Sequence, residues 1–407
     1  MVRTFGLSLG AAAWAIIASS TAACAQDPAP EPVDSAAVHE QLLTLDTHLD
    51  TPLHMMRPGW SMADRHDYET DNSQVDIPRM IEGGLDGGFF VIWTPQGPLT
   101  DEGYARAAAM AASRQQIILA MLAASSDQVE RARTADDAAR IAATGRRFIY
   151  QSIENSYPLG EDVSRLEQFY NNGVRMVGPV HSGTNQFSDS ATGEEMWGGL
   201  SPLGRALIGE MNRLGIIPDG SHASDAAFDQ MVELSATPII LSHSGPKAAH
   251  DHPRNLDDDR IRRLAASGGV IAVNSIYLAP RSNSPEWQAI SRRFMEMFSE
   301  SAEVQQAYVR DLRALEAVTP REDADFEMFM ASLMHLIEVA GVDHVAFGAD
   351  WDGGGGVENM RDITALPQIT ARLLAAGHTM SDLNKMWSGN VLRLLRAAEE
   401  HAASQGD

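Results

Sequence analysis

The sequence predicts an α/β fold, a closed (β/α)8 TIM barrel with extra helices. Three observations carry that expectation. Eight short apolar runs recur along the chain, and helix-like stretches separate most of them. That alternation implies parallel strands, which need long crossover connections. Six of the eight runs end in a histidine or a carboxylate, and the C-terminal strand ends are where a barrel gathers its polar groups. An open doubly wound sheet is the competing arrangement. No G-x-G-x-x-G follows any run, and the glycine run 353–356 comes only after the last one, so a dinucleotide fold is disfavoured.

The strand expectations, in order, are 43–49, 87–93, 148–153, 174–180, 216–219, 238–241, 270–273 and 345–348. Helices are expected at 102–123 and 126–143 after the second run, then at 162–171, 201–214, 224–234 and 257–267 after the third to sixth. A long charged stretch with helical periodicity, 285–340, follows the seventh and reads as an elaboration on the barrel. Helices at 362–376 and 380–399 close the chain.

Ahead of the barrel, Arg3 is the only charge before Asp27, and an apolar run leads into Ala23-Cys24-Ala25. A short apolar core before an A-x-A site predicts a signal peptide over 1–25 and export to the periplasm or the medium. The alternative is a membrane-attached lipoprotein with its lipid anchor at Cys24, because Thr21-Ala-Ala-Cys24 resembles a lipobox, although Thr21 stands where Leu is preferred. A Pro-rich acidic linker is expected over 26–38, and one barrel domain over 39–400.

Composition narrows the function. The chain has 407 residues, 44% hydrophobic and 21% charged, which is ordinary for a globular protein. Cys24 is the single cysteine, so a disulfide scaffold is excluded. Lys plus Arg is 31 and Asp plus Glu is 55, a formal charge of −24. Nucleic acid is therefore not an expected partner, because phosphate binding needs clustered cations.

The strand ends read Asp46-Thr-His48-Leu-Asp50, Ser152-Ile-Glu154-Asn155, Pro179-Val-His181, Asp219-Gly-Ser-His222, Leu241-Ser-His243 and Gly348-Ala-Asp350-Trp-Asp352. His48 and Asp50, two apart on a strand, would share a face. A lone histidine at such a place is usually structural, and a lone aspartate is usually a helix cap. Six in register on one edge are not explained that way. Imidazole and carboxylate together suit zinc, and the lack of a nearby cysteine favours a catalytic site over a structural one. A carboxylate such as Glu154 can bridge two ions ~4 Å apart, which can then hold and deprotonate one water.

These residues, in this order, resemble the membrane (renal) dipeptidase family of zinc metallopeptidases. The resemblance runs through LDTHLDTP at 45–52, QVDIPRMIEGGLDGGFF at 74–90, IEN at 153–155, VGPVHSGTNQFSDS at 177–190, GSHAS at 220–224, PIILSHSG at 238–245, HPRNLDDD at 252–259, FGADWDG at 347–353 and GNVLRLL at 389–395. The H-x-D opening is informative, since most related barrel hydrolases open with H-x-H. The resemblance implies a barrel of the metal-dependent hydrolase type with two Zn2+ per chain. His48 and Asp50 would bind one ion, His222 and His243 the other, and Glu154 would bridge. A hydroxide between the ions would attack the amide of a dipeptide. His181 would contact the scissile carbonyl, Arg254 would hold the terminal carboxylate, and Asp350 would stand near the water and the substrate amine.

The resemblance also implies a homodimer, in some members lipid-anchored, and in several members β-lactam hydrolysis. Read without it, Arg254 fits a surface salt bridge with the acidic run 257–259 better than a substrate clamp. The alternative function is a related barrel amidohydrolase acting on β-lactams or N-acyl amino acids. Departures from the family pattern are Pro218-Asp-Gly-Ser before His222, Pro179-Val at the fourth strand end, and a long 285–327 region. They bear on substrate preference more than on chemistry.

Overall fold

Strand pairing is parallel throughout the two sheets of the computed structural model, which describes residues 34–405 together with residues 1, 2, 4 and 6. The chain divides into a short unit, 1–34, and a main unit, 35–407. The leader from residue 7 onward, Cys24 and the linker as far as residue 33 lie outside the described residues. Among the described residues, regular structure begins with the helix Ser35–His39, which overlaps the end of the stretch expected as linker. That stretch has left the prolines behind, and His39 is buried, with Nδ1 2.7 Å from Thr370 Oγ1.

The strands are β1 (Leu45–Leu49), β2 (Gly87–Ile92), β3 (Val129–Arg131), β4 (Arg147–Ile153), β5 (Val174–Val177), β6 (Ile217–Pro218), β7 (Ile240–Ser244), β8 (Val270–Val273) and β9 (Val345–Phe347). One arc runs β1-β2-β4-β5-β6 and a second runs β7-β8-β9. Single parallel bridges join them at both seams, Asp219↔Ile240 and Leu49↔Trp351. Eight strands thus complete the ring expected for the barrel, and β3 lies outside it. Residues alternate along the strands between two apolar clusters. Phe89, Phe148, Tyr150, Ala272 and Ala346 join one, with Val391 and Leu394 of the C-terminal helix. Phe90, Ile149, Ile271 and Phe347 join the other, with most of the surrounding helices. Burial on both faces explains why these strands read as continuous apolar runs.

Three expectations need correction. The helix expected over 126–143 is β3 followed by the shorter helix Ala135–Ala142. Three residues are too few for a period-2 signal, and β3 exists by pairing with 147–149 at the start of β4, while β5 pairs with 151–153 further along. The sixth strand is shifted to include His243 and Ser244. Its polar end stays in the sheet because Asp219 accepts from Ser242 N at 3.0 Å and Ser242 Oγ at 2.5 Å. The 285–340 stretch is three helices, Pro285–Arg292, Ala302–Val318 and Phe326–Ala340, with a 3-10 turn at Phe294–Phe298. The first two helices and the turn carry a small core of their own around Trp287, Met297 and Tyr308.

Among the described residues one helix, Asp101–Ala124, is long and apolar enough to cross a membrane by length and composition. Its buried positions Tyr104, Ala107, Ala111, Gln115, Ile118 and Leu122 recur at helical spacing, the pattern of a helix lying on a protein core.

Candidate metal centre

Glu154 follows β4 on the face already set by Phe148 and Tyr150, and this parity aims its carboxylate into the ring. Four imidazole Nε2 atoms surround its Oε1: His222 at 3.0 Å, His243 at 3.4 Å, His48 at 3.5 Å and His181 at 3.6 Å. They arrive from four strand ends. His48 Nε2 also stands 3.4 Å from Asp50 Oδ2 and 3.9 Å from Asp350 Oδ1. His48 and Asp50 do not share a strand face as expected. β1 ends at Leu49, and Asp50 turns back toward His48 with φ −79 and ψ 12. Its N–H donates to Trp351 O at 2.9 Å, which fixes that turn against the end of β9.

Three overlapping sets of donors could each hold an ion: His48, Glu154 and His243; Glu154, His181 and His222; and His48, Asp50 and Asp350. In each set the ligand atoms lie within 4.8 Å of one another. The polar atoms fit such a group. His48 Nδ1 and Nε2, Asp50 Oδ1 and His222 Nδ1 are buried without a hydrogen-bond partner. Leaving them so costs free energy that a cation would recover. Electrostatics agree. Burial opposes a charge on His48, but Glu154, Asp50 and Asp350 overcome it and raise its pKa to about 10, so the carboxylates demand positive charge at this point. His222 and His243 are pushed well below their usual range by burial first and then by neighbouring cations, Arg254 among them. They are neutral, with lone pairs free to donate. His181 is pushed down to about 3 by burial and by Arg254. Asp350 is pushed up to about 6, by burial and by Asp50 against the opposing pull of His48.

An outer layer of hydrogen bonds orients the donors. His243 Nδ1 meets Ser242 Oγ at 2.8 Å, and Ser242 is held by Asp219. Asp46 accepts from His48 N at 2.8 Å and from Ala349 N at 3.2 Å, tying β1 to the end of β9. A partner on the ring, as Ser242 is for His243, fixes imidazole orientation and ligand basicity, while Asp46 fixes the backbone that carries His48. The backbone is strained here as well. His222, Tyr277, Asp350 and Asp352 all adopt left-handed φ values between 61 and 67. Non-glycine residues hold that conformation only where the surroundings enforce it. A Cβ at Gly353 would fall on Asp50 Oδ2 and Asp350 Oδ1, so a glycine is needed for both carboxylates to reach the site.

The centre opens into a cavity of about 260 Å3. Arg254 is buried beside it, 2% exposed, and donates to His243 O at 3.2 Å, while its Nε has no partner. The surface salt bridge with 257–259 does not form: Asp257 is taken by Arg260 at 2.6 Å. Seven of the eight site residues expected from sequence line this cavity, namely Asp50, Glu154, His181, His222, His243, Arg254 and Asp350. His48 lies directly behind them, stacked on His243 with ring centroids 3.7 Å apart. Sequence reasoning missed Trp93, Tyr277, Arg281 and Phe294 in the lining, and gave Asp352, at the eighth strand end, no role. Trp93 and Tyr277 follow β2 and β8, the two strand ends without a histidine or carboxylate, and strand-end position alone would have pointed to them.

A closed parallel barrel with this donor set at its C-terminal rim defines a hydrolase that works through metal. The profile described as membrane dipeptidase (peptidase family M19) matches residues 34–406, and the chain belongs to that family. Dipeptidase tcpJ of Claviceps purpurea is 31% identical over 369 residues, 88% of this chain and 78% of that protein. The probable dipeptidase PvdM from Pseudomonas aeruginosa superposes with a TM-score of 0.77 at 29% identity, covering 90% of this chain and 98% of that one. A metallopeptidase from Rhodobacter sphaeroides, solved with a phosphinate mimic of L-Ala-D-Ala, superposes with a TM-score of 0.68 at 26% identity, covering 87% and 99%.

Proposed function

We propose that this chain hydrolyses dipeptides with two zinc ions, one held by His48 and Asp50, the other by His222 and His243, with Glu154 shared between them. The observation that carries this reading is the convergence of four imidazole nitrogens on one oxygen of Glu154, all within 3.6 Å. Ions in that position would polarise the scissile carbonyl and lower the pKa of the attacking water.

The remaining chemistry belongs to side chains. Arg254, with open donors beside the cavity, pairs with the terminal carboxylate of the dipeptide in the two-pronged way that a lysine cannot copy. His181, neutral and partly exposed to the cavity, donates to the carbonyl oxygen as negative charge grows on it. Asp350, with its pKa lifted toward neutrality, takes the proton of the attacking water and passes it to the leaving amine as the C–N bond breaks. Export through the leader, a lipid anchor at Cys24 as its alternative, and a homodimeric assembly belong to the same proposal. They are supported by the leader residues and the family resemblance.

Elemental analysis of protein purified without chelator should find two zinc per chain, and a mixed dipeptide panel should be turned over. Full activity with one ion overturns the two-ion centre. Hydrolysis of N-acyl amino acids or β-lactams without dipeptide turnover transfers the chain to the amidohydrolase reading.

A further inference from the structure

A second chamber, of about 360 Å3, opens off the reaction cavity and shares Arg281, Phe294, Asp352 and Gly353 with it. Its outer wall comes from the helical insertion between β8 and β9, through Trp287, Tyr308 and Arg321. The carboxylates along its wall are already engaged. Glu322 accepts from the backbone N–H groups of Tyr277 at 3.0 Å and Ala279 at 2.8 Å, and from that of Leu278. Asp352 accepts from Thr51 Oγ1 at 2.7 Å and Gln74 N at 2.6 Å. Glu316 is paired with Arg313.

The cations are not engaged to the same degree. Arg281 stands 3.8 Å from Glu322, beyond hydrogen-bond reach, and its Nε has no partner. Arg321 gives one long hydrogen bond, 3.4 Å to Ser291 Oγ, and its Nε also lacks a partner. Each guanidinium lies over an aromatic ring, Arg281 over Tyr277 at 5.4 Å and Arg321 over Trp287 at 5.0 Å. Stacking orients a guanidinium while leaving its edge N–H groups free to bind. The two are close enough for Arg281 to depress the pKa of Arg321, after the larger effect of burial. On a chain of formal charge −24, two under-paired guanidiniums facing one chamber, with Arg361 also in its wall, ask for an anion from outside.

We infer that this chamber receives the side-chain carboxylate of an acidic residue at the amino-terminal position of the dipeptide, bound by Arg281 and Arg321. The inference rests on the dipeptidase reading. The amino-terminal position follows from the shared wall: two of its four residues, Asp352 and Gly353, follow Asp350, which the family resemblance sets near the substrate amine, and Arg254, proposed for the terminal carboxylate, does not line the chamber.

The test compares kcat/KM for Glu-Ala, Gln-Ala and Ala-Ala, with Ala-Glu and Ala-Gln as position controls, on the metal-loaded enzyme and on Arg281→Met and Arg321→Met. Glu and Gln have the same shape and differ in charge. The wild type should prefer Glu-Ala over Gln-Ala by roughly 10- to 100-fold, the worth of a hydrogen-bonded charge. Each substitution should bring that ratio close to one. A variant that folds poorly lowers both rates alike and leaves the ratio readable. Equal rates on Glu-Ala and Gln-Ala, with Ala-Ala cleaved, overturn the inference and leave the dipeptidase reading standing. So does a preference that survives both substitutions, or one that appears only for Ala-Glu. No cleavage of any of the five peptides overturns both.

Discussion

His222 and His243 meet nitrogen to nitrogen, with Nε2 atoms 2.9 Å apart, and both lie against the same oxygen of Glu154, at 3.0 and 3.4 Å. Two neutral imidazoles can satisfy such a contact only by sharing a proton or by turning both lone pairs toward a cation. A single carboxylate oxygen cannot serve four surrounding imidazoles equally well. That crowding of donors is the physical basis for placing Glu154 at the middle of the centre.

Replacing Glu154 with Gln should therefore empty both proposed ion positions together. The amide keeps one carbonyl acceptor but loses the charge and the second oxygen. Zinc content by elemental analysis should fall for both ions, and activity should fall by more than the roughly 10–100-fold usual for an outer-layer partner. Removing metal from wild type with a chelator should lower Tm, because ions that bind only the folded state stabilise it by mass action. A variant that keeps two ions per chain would remove Glu154 from the bridging role.

Arg254→Met should cost the enzyme its recognition of a free carboxylate. Wild type should cleave a dipeptide far better than its C-terminal amide, because the amide leaves a buried guanidinium without its partner. Such losses are about 2–5 kcal/mol, or roughly 30- to several-thousand-fold in kcat/KM. The variant should narrow that gap by losing the dipeptide and leaving the amide nearly unchanged. Equal rates on dipeptide and amide in wild type would show that Arg254 does not hold the terminus.

Gly353→Ala should disturb the centre without replacing any ligand residue. The added methyl would fall on Asp50 Oδ2 and Asp350 Oδ1. Overpacking of this kind costs roughly 1–3 kcal/mol, and here relief comes by moving the two carboxylates. Lower kcat and lower zinc content are expected together. Gly209→Ala is the control. Gly209 sits in the helix Pro202–Leu214 with nothing within 4 Å of a new Cβ, and alanine there should be neutral or stabilising by about 0.5–1 kcal/mol. Unchanged kcat in Gly353→Ala would show that the carboxylates can move freely.

The pH dependence of stability should carry a contribution from His66, away from the centre. Its Nδ1 lies 3.0 Å from Asp71 Oδ2 and its Nε2 lies 2.8 Å from Ser61 O, so only the imidazolium can donate to both. Burial opposes that charge, but Asp71 and Ser61 outweigh it and raise the pKa above 6.5. A raised folded pKa contributes stability that is fully present below 6.5 and is lost as pH rises through the folded value. The Tm gap between wild type and His66→Gln should be widest on the acid side of 6.5 and should shrink at alkaline pH. A gap that does not change with pH would mean that His66 is not charged in the folded protein.

Local sequence by itself determined the alternation of strands and helices, the eight ring strands and the polar residues at six of their ends. Those signals are short-range: an apolar run buried on both faces, a helical period, and a histidine or carboxylate just past the run. Features whose cause lies elsewhere in the chain were decided only by tertiary structure. β3 falls in a stretch where local sequence predicts helix, because a three-residue strand exists through its pairing with β4. Asp50 reaches His48 by a turn held by Trp351, a residue at the far end of the chain. Arg254 reads locally as one cation beside three acids, yet Arg260 takes Asp257 and packing buries Arg254 beside the cavity. Arg281 and Phe294 carry no strand-end histidine or carboxylate to mark them, and they line the cavity because the segment after β8 folds over it. The ring itself closes through two single bridges, Asp219↔Ile240 and Leu49↔Trp351. The Leu49–Trp351 seam joins residues about three hundred positions apart, and no local pattern encodes a pairing at that distance. That closure brings the separate strand ends around one oxygen of Glu154.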